Sequence, residues 1–184
     1  MTTTRSRALK QRGLTGLCGP YAIVNALRRV LPLALREGEG RALARVIAEA
    51  LPTGLATIMQ EGTDRPQLVA MLEIAAGFTR DRGLDPWVWA ERHPGPGETA
   101  AAFWALLGPE LERPQTAAIL GFGDFHEPSA YYEPHWTCAT AVSGAWLRCL
   151  DSDVYDRVRL AETGVRPEPG WEIEDCFILR PVAG

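Results

Sequence analysis

The stretch from Gly13 to Leu27 reads GLTGLCGPYAIVNAL, and the interpretation of the rest of the chain depends on it. A loop punctuated by glycines delivers Cys18 to the start of an apolar segment. Pro20 suits the first turn of a helix, where its missing N–H costs nothing, and Pro32 cannot continue one. Apolar residues recur at helical spacing between these limits. We therefore predict a mostly buried helix from about residue 19 to residue 31, with Cys18 at its N-terminus.

The position of Cys18 at the N-terminus of a helix favours a nucleophilic role for its thiol. Unpaired backbone N–H groups and the positive end of the helix dipole stabilise a thiolate relative to a thiol. The alternative is that Cys18 is a buried small hydrophobe, as free cysteines usually are. We favour a nucleophilic cysteine, because the loop-then-helix context is joined by a suitable histidine further along the chain.

Composition limits the class of protein. A chain of 184 residues fits a single domain, residues 1–184, and a domain of this size buries about 70% of its unfolded surface. The net charge of -4 argues against a dedicated nucleic-acid binder. No signal peptide and no apolar run of about 18 residues is present, so we expect a cytoplasmic protein that does not span a membrane.

The four cysteines show no CxxC spacing, and we therefore expect no structural zinc site. In a cytoplasmic protein the thiols stay reduced. Cys138, Cys149 and Cys176 are predicted as packing residues. We expect neither a metal nor an organic cofactor.

Hydrophobic spacing and turn residues predict the order of the elements. Further helices are expected over residues 41–51, 63–80 and 98–107, the last closed by Gly108-Pro109. Glu37-Gly38-Glu39-Gly40 is expected to be a solvated turn. A short strand is expected over residues 85–90, and strands over residues 116–122, 135–142, 145–151 and 171–179 are expected to form a small antiparallel sheet. Helices followed by strands are typical of the α+β class.

A cysteine nucleophile needs a base within hydrogen-bond reach. His135 is the best candidate because it opens a strand directly after a loop. His126 lies in that loop and is expected to contact substrate, whereas His93 lies in a proline-glycine hinge. The negative charge that develops on an attacked carbonyl needs fixed donors, for which the Cys18 backbone N–H and the Gln11 side chain are candidates.

Asp151 is the candidate for orienting His135, provided that the hairpin geometry allows it. A two-residue turn at 143–144 would place the two side chains on opposite faces, because side chains alternate along a strand. A three-residue turn at 143–145 would make them diagonal neighbours, about 7–8 Å apart at Cα. We therefore predict an odd-length turn or a bulge. Without either, Ser152 is the local candidate.

Four short sequence segments together resemble a known family. Gln11, Cys18-Gly19-Pro20, His135-Trp136 and Leu150-Asp151-Ser152 are similar to the papain-like cysteine peptidase superfamily, and most similar to its bacterial C39-type peptidases. The resemblance implies an N-terminal helical lobe packed on a C-terminal antiparallel sheet, with a catalytic cleft between them. It also implies a triad of Cys18, His135 and Asp151, with Gln11 at the oxyanion.

The sequence thus predicts a cysteine peptidase that cleaves a peptide or amide bond of a peptide or protein substrate. Trp136, Gly16 and His126 are expected to contact that substrate. Two alternatives remain open: an acyltransferase or transglutaminase-like enzyme with the same triad, and a catalytically silent papain-like module that binds a partner through Trp136, Tyr131 and Tyr132. The substrate and the oligomeric state do not follow from the sequence.

Overall fold

The computed structural model describes residues 8–9, 16–51, 54–125, 135–152, 156–165 and 171–182. This part of the chain forms an α+β fold with five helices and an open sheet of seven strands. The helices are α1 (Cys18–Val30), α2 (Glu37–Ala50), α3 (Gly54–Glu61), α4 (Arg65–Asp81) and α5 (Ala100–Glu112). The strands are β1 (Trp87–Glu91), β2 (Ala117–Phe125), β3 (His135–Ser143), β4 (Trp146–Cys149), β5 (Arg157–Arg159), β6 (Thr163–Gly164) and β7 (Trp171–Pro181).

The sheet has the strand order β1-β7-β2-β3-β4-β5, and neighbours along this path are antiparallel. The short β6 pairs in parallel with β7. The central strand β2 was predicted as a buried strand, and its apolar side chains do fill cores on both sides. Ile119 packs with residues of α1 to α4, whereas Leu120 packs with residues of α5. The sheet is therefore covered by helices on both faces.

Two predicted helices are found close to their expected bounds. α1 begins one residue earlier than predicted, at Cys18, and ends at Val30. α4 begins after Asp64, whose side chain accepts from the Gln67 backbone N–H, while the Gln67 side chain accepts from the Asp64 backbone N–H. This capping box and the early Pro66 explain why the helix starts there.

The predicted turn at Glu37-Gly38-Glu39-Gly40 is wrong, because these residues form the first turn of α2. The two carboxylates are favourable at a helix N-terminus. Gly40 is buried, and a Cβ there would lie 2.9 Å from Leu9 Cδ1 and 3.2 Å from Val24 Cγ1. The glycine therefore serves close packing of α2 on α1, a role that local sequence does not distinguish from a turn.

The end predicted for α5 is also wrong. The helix continues through Gly108-Pro109 to Glu112. Leu107 and Leu111, on either side of the proline, are both buried in the core on the α5 face of the sheet. Burial of this apolar stripe outweighs the local cost of the proline.

Four short elements were not predicted, namely α3, β5, a 3-10 helix (Leu160–Glu162) and β6. Each has eight residues or fewer, which is too short for a clear hydrophobic period.

The structure also bears on a membrane role: within the described ranges, none of the helices is both long and apolar enough to pass through a bilayer.

Candidate functional site

Cys18 is the first residue of α1 and is largely buried. Gly16 precedes it with a φ of +79°, and a Cβ at this position would lie 2.2 Å from the Ile58 backbone oxygen. A side chain at residue 16 is therefore excluded by both conformation and space. The N-cap residue Leu17 provides no side-chain hydrogen bond to the first turn. N–H groups at such a helix end are suited to stabilising a negative charge beside them.

His135, at the start of β3, lies between the two other predicted members of the triad. Its Nε2 is 2.7 Å from Oδ2 of Asp151, whose side chain is fully buried. The Cys18 side chain is a second hydrogen-bond partner of the ring. Because Asp151 engages Nε2, Nδ1 is the ring nitrogen left for the sulfur. The structure thus brings together three residues separated by up to 133 positions.

The electrostatic balance at His135 favours the imidazolium. Burial is the largest single influence and lowers the pKa of His135. The hydrogen bonds with Asp151 and Cys18, together with the charges of these two groups, outweigh burial and raise the pKa from the ordinary 6.5 to about 10. At neutral pH the ring therefore holds a proton between two acidic partners.

The hairpin β3–β4 reaches this geometry through a bulge. The turn itself has two residues, because Ser143 pairs with Trp146, and Gly144 has a positive φ of +59°. The register then shifts between the pairs 139–149 and 141–148, so that residue 140 is the extra residue of β3. The backbone N–H of Leu150 donates to the Cys138 carbonyl at 2.8 Å, which continues the shifted register. Residue 137 is thus opposite 151, and the predicted bulge is confirmed.

Asn25 connects three parts of the chain at the site. It lies two helical turns after Cys18 and is fully buried. Its Oδ1 accepts from the Leu9 backbone N–H at 2.8 Å, and its Nδ2 donates to the carbonyls of Leu9 at 3.2 Å and Leu150 at 3.0 Å. The Asn25 amide therefore holds Leu9, in the segment before α1, and Leu150, the residue before Asp151, against α1.

The sequence prediction missed Asn25, although a signal was present. It is a polar residue within the apolar stripe of a buried helix, and a buried amide needs hydrogen-bond partners. Those partners lie 16 and 125 positions away, so their identity required the fold.

Trp136, predicted to contact substrate, packs in the core that also contains Cys18 and the buried side of α1. It is largely buried, and its Nε1–H donates to the Thr63 carbonyl at 2.6 Å. The Thr63 side chain in turn packs on Gly19, where a Cβ would lie 2.6 Å from Thr63 Oγ1. The loop before α4 is thereby held against both the cysteine helix and the strand that begins with His135. A substrate contact by Trp136 stays a prediction.

Several predicted residues lie outside the described part of the chain. These are Gln11, His126, Tyr131 and Tyr132. Leu9, two residues before Gln11, is described and is held by Asn25 as stated above. The alternative orienting residue Ser152 is buried beside Asp151, and its Oγ makes no hydrogen bond with the described residues.

The other three cysteines are buried packing residues, as predicted. Burial raises the pKa of the Cys149 and Cys176 thiols to about 12 and that of Cys138 well above its ordinary value. They are therefore protonated at neutral pH. Cys138 and Cys149 belong to the cores on opposite faces of the sheet, so they are not positioned to pair.

Among the described residues, no group of three or more His, Cys, Asp or Glu side chains has the arrangement to hold a metal ion.

The described groups define a thiol–imidazole–carboxylate site at a helix N-terminus of an α+β fold. Neither the models of known protein families nor the curated proteins provide a match to the chain. The chemistry of the site therefore rests on its own geometry.

Proposed function

We propose that the protein is a cysteine peptidase of papain-like type, which hydrolyses a peptide or amide bond. The observation that carries the proposal is the position of His135, hydrogen-bonded to the Asp151 carboxylate and to the Cys18 thiol. A nucleophile, a base and a group that orients the base are the parts that this reaction needs.

In the first half of the reaction, the Cys18 thiolate attacks the carbonyl carbon of the substrate and forms a C–S bond. The carbonyl oxygen becomes an oxyanion, which the Cys18 backbone N–H and the Gln11 amide stabilise. The imidazolium of His135 then gives its proton to the amine nitrogen as the C–N bond breaks. The amine leaves, and a thioester on Cys18 remains.

In the second half, His135 takes a proton from a water molecule, which attacks the thioester carbonyl. The C–S bond breaks, the carboxylic acid product leaves, and the proton on His135 restores the starting pair. Transfer of the proton by a positioned base contributes about 10²–10⁴ in rate, and an oxyanion donor about 10²–10³.

The raised pKa of His135 supports this cycle. A ring that is protonated at neutral pH next to a thiol is the condition for a thiolate–imidazolium pair, which is the reactive form of such a site. Asp151 contributes a fixed negative charge on the far side of the ring and holds its orientation. The fully buried carboxylate is shielded from water, so this orientation is firmly held.

Alkylation of Cys18 by iodoacetamide tests the proposal without knowledge of the substrate. We expect Cys18 to be modified selectively at pH 7, read by mass spectrometry of peptides, and His135→Ala to slow the modification at least tenfold. His93→Ala is the matched control, because His93 also lies between two carboxylates, Glu91 and Asp175. We expect it to leave the rate unchanged.

The proposal fails if Cys18 resists alkylation in the folded protein, or if the two histidine variants behave alike. Once a cleaved peptide is found, Cys18→Ala should abolish turnover while leaving the fold intact. Product analysis at a low concentration of an added amine separates hydrolysis from acyl transfer, because a hydrolase yields mainly the carboxylic acid and a transferase mainly the new amide.

A further inference from the structure

A second surface stands out at the far end of the sheet, on strands β4 and β5. We call it the arginine face and define it as Trp146, Arg148, Arg157 and Arg159. In the register of the two strands, Trp146 is opposite Arg159 and Arg148 is opposite Arg157, so all four side chains share one face. The three arginines are exposed. The intervening residues, Leu147 and Val158, are buried on the opposite face.

Within the described residues, the arginine face concentrates positive charge without balancing it. Arg148 and Arg157 are directly opposed like charges, an arrangement that destabilises a sheet. In the described part of the chain, neither has a carboxylate within 4 Å, whereas Arg159 has only the exposed Glu162 at 3.9 Å. The guanidinium groups of Arg157 and Arg159 lie 4.4 and 5.0 Å from the centre of the Trp146 ring. Stacking on the Trp146 ring accounts for Arg157 and Arg159. It does not offset the repulsion between Arg148 and Arg157, which a bound anionic group would relieve.

We propose that the arginine face binds an acidic, extended peptide segment. Arg157 and Arg159 are two residues apart on a strand, which spaces them by about 7 Å. Alternate side chains of an extended peptide have the same spacing, so two carboxylates at positions i and i+2 match the two guanidinium groups. Trp146 supplies an apolar platform between them. β5 is the last strand in the sheet order, and among the described strands none pairs with its outer edge, which leaves room for an extended chain.

Charge favours a short acidic peptide over a nucleic acid. The whole protein carries a net charge of -4, which repels a long polyanion at a distance. A short segment interacts mainly with the local cluster, because charges further away than about 10 Å are screened at ordinary salt. The inference does not depend on the cysteine chemistry, since His135 and Ser143 lie at opposite ends of β3, about 26 Å apart.

Fluorescence anisotropy with a labelled ten-residue peptide of alternating Glu and Thr tests the inference. The full chain carrying Cys18→Ala is used, so that the peptide stays intact. We expect binding that weakens as salt rises from 50 to 300 mM, and a loss of roughly fivefold or more in affinity in the double variant Arg157→Gln/Arg159→Gln. The single variant Arg148→Glu should weaken binding in the same way.

The matched control is Arg36→Gln/Arg45→Gln, which removes the same charge from exposed positions at and near α2. It should leave binding unchanged, and circular dichroism should show that every variant is folded. The inference is overturned if both double variants lose affinity equally, if the Glu-Thr peptide does not bind, or if a Lys-Thr peptide binds as well. It is also overturned if a labelled ten-nucleotide oligothymidine binds the arginine face more tightly than the acidic peptide.

Discussion

His135 couples the protonation of the site to the stability of the fold. Its pKa is about 10 in the folded protein, against an ordinary 6.5 in an unfolded chain. A group whose pKa is raised by folding stabilises the native state fully below its unfolded pKa, and that contribution is lost as the pH rises through the folded pKa. The relevant window is therefore pH 6.5 to 10.

We predict that the free energy of unfolding of the wild type, relative to His135→Gln, is largest near pH 6 and falls towards pH 10. Urea unfolding of both proteins at pH 6, 8 and 10 measures the difference. Asp151→Asn removes a hydrogen bond that raises the pKa, so the decline should be smaller in that background. Parallel stability curves for the wild type and His135→Gln would show that the ring is not charged by its partners.

Residues that stand at the start of an element after a loop were predicted from the sequence, whereas Asn25 and Thr63, which lie inside or between elements, were not. Cys18 follows from a loop and a helix start, and His135 from a loop and a strand start. The Asn25 side chain donates to the backbone carbonyl of Leu150, and the backbone carbonyl of Thr63 accepts from the Trp136 indole N–H. Both partners are far away along the chain. Such pairings exist only once the elements have packed.

The first turn of α1 is held by packing at Gly19, which gives a prediction at the scale of an element. Gly19→Ala places a Cβ within 2.6–2.8 Å of three Thr63 side-chain atoms. We expect a loss of about 1–3 kcal/mol in unfolding free energy and slower alkylation of Cys18, because the turn must shift. Gly38→Ala in α2 is the control, since nothing lies within 4 Å of its Cβ. It should stabilise by about 0.5–1 kcal/mol and leave alkylation unchanged.

Asn25 supports a second prediction about α1. Asn25→Ala leaves the N–H and C=O of Leu9 and the Leu150 carbonyl without their partner, which should cost roughly 2–4 kcal/mol. The change should also slow alkylation of Cys18, because Leu150 precedes Asp151. Thr79→Val removes another buried hydrogen bond, from Trp87 Nε1 at 2.9 Å, and serves as the control. If both variants lose stability but neither affects Cys18, Asn25 has no positioning role.

The hairpin shows how far an element can be predicted. Because side chains alternate along a strand, placing His135 and Asp151 on one face required one extra residue in the hairpin. The sequence did not decide whether that residue lies in the turn or in a strand. The turn took the two-residue form, and the extra residue lies in β3 at position 140. A three-residue turn and a bulge in the strand both place residues 135 and 151 on the same face of the sheet, so only three-dimensional packing distinguishes the two.

The whole molecule has helices on both faces of one sheet, an arrangement that hydrophobic period alone does not predict. The stripe of α5 indicates that the helix is buried, but not which face of the sheet it covers. The α+β class was correct, and α1 to α4 do pack together on one face. α5 lies on the other face, so the described helices do not form a single lobe.

The shared sheet predicts that the two cores unfold together. β2 contributes Ile119 to one core and Leu120 to the other, so neither core can be lost without exposing the strand common to both. Leu27→Ala in α1 and Phe103→Ala in α5 should therefore each shift one common urea transition, by about 2–5 and 3–5 kcal/mol. Tryptophan fluorescence and protection of the buried Cys138 from iodoacetamide should report the same midpoint in each variant. If Phe103→Ala instead separates the two signals, with Cys138 still protected after the fluorescence change, the α5 face is an independent folding unit and the site depends on α1 to α4 alone.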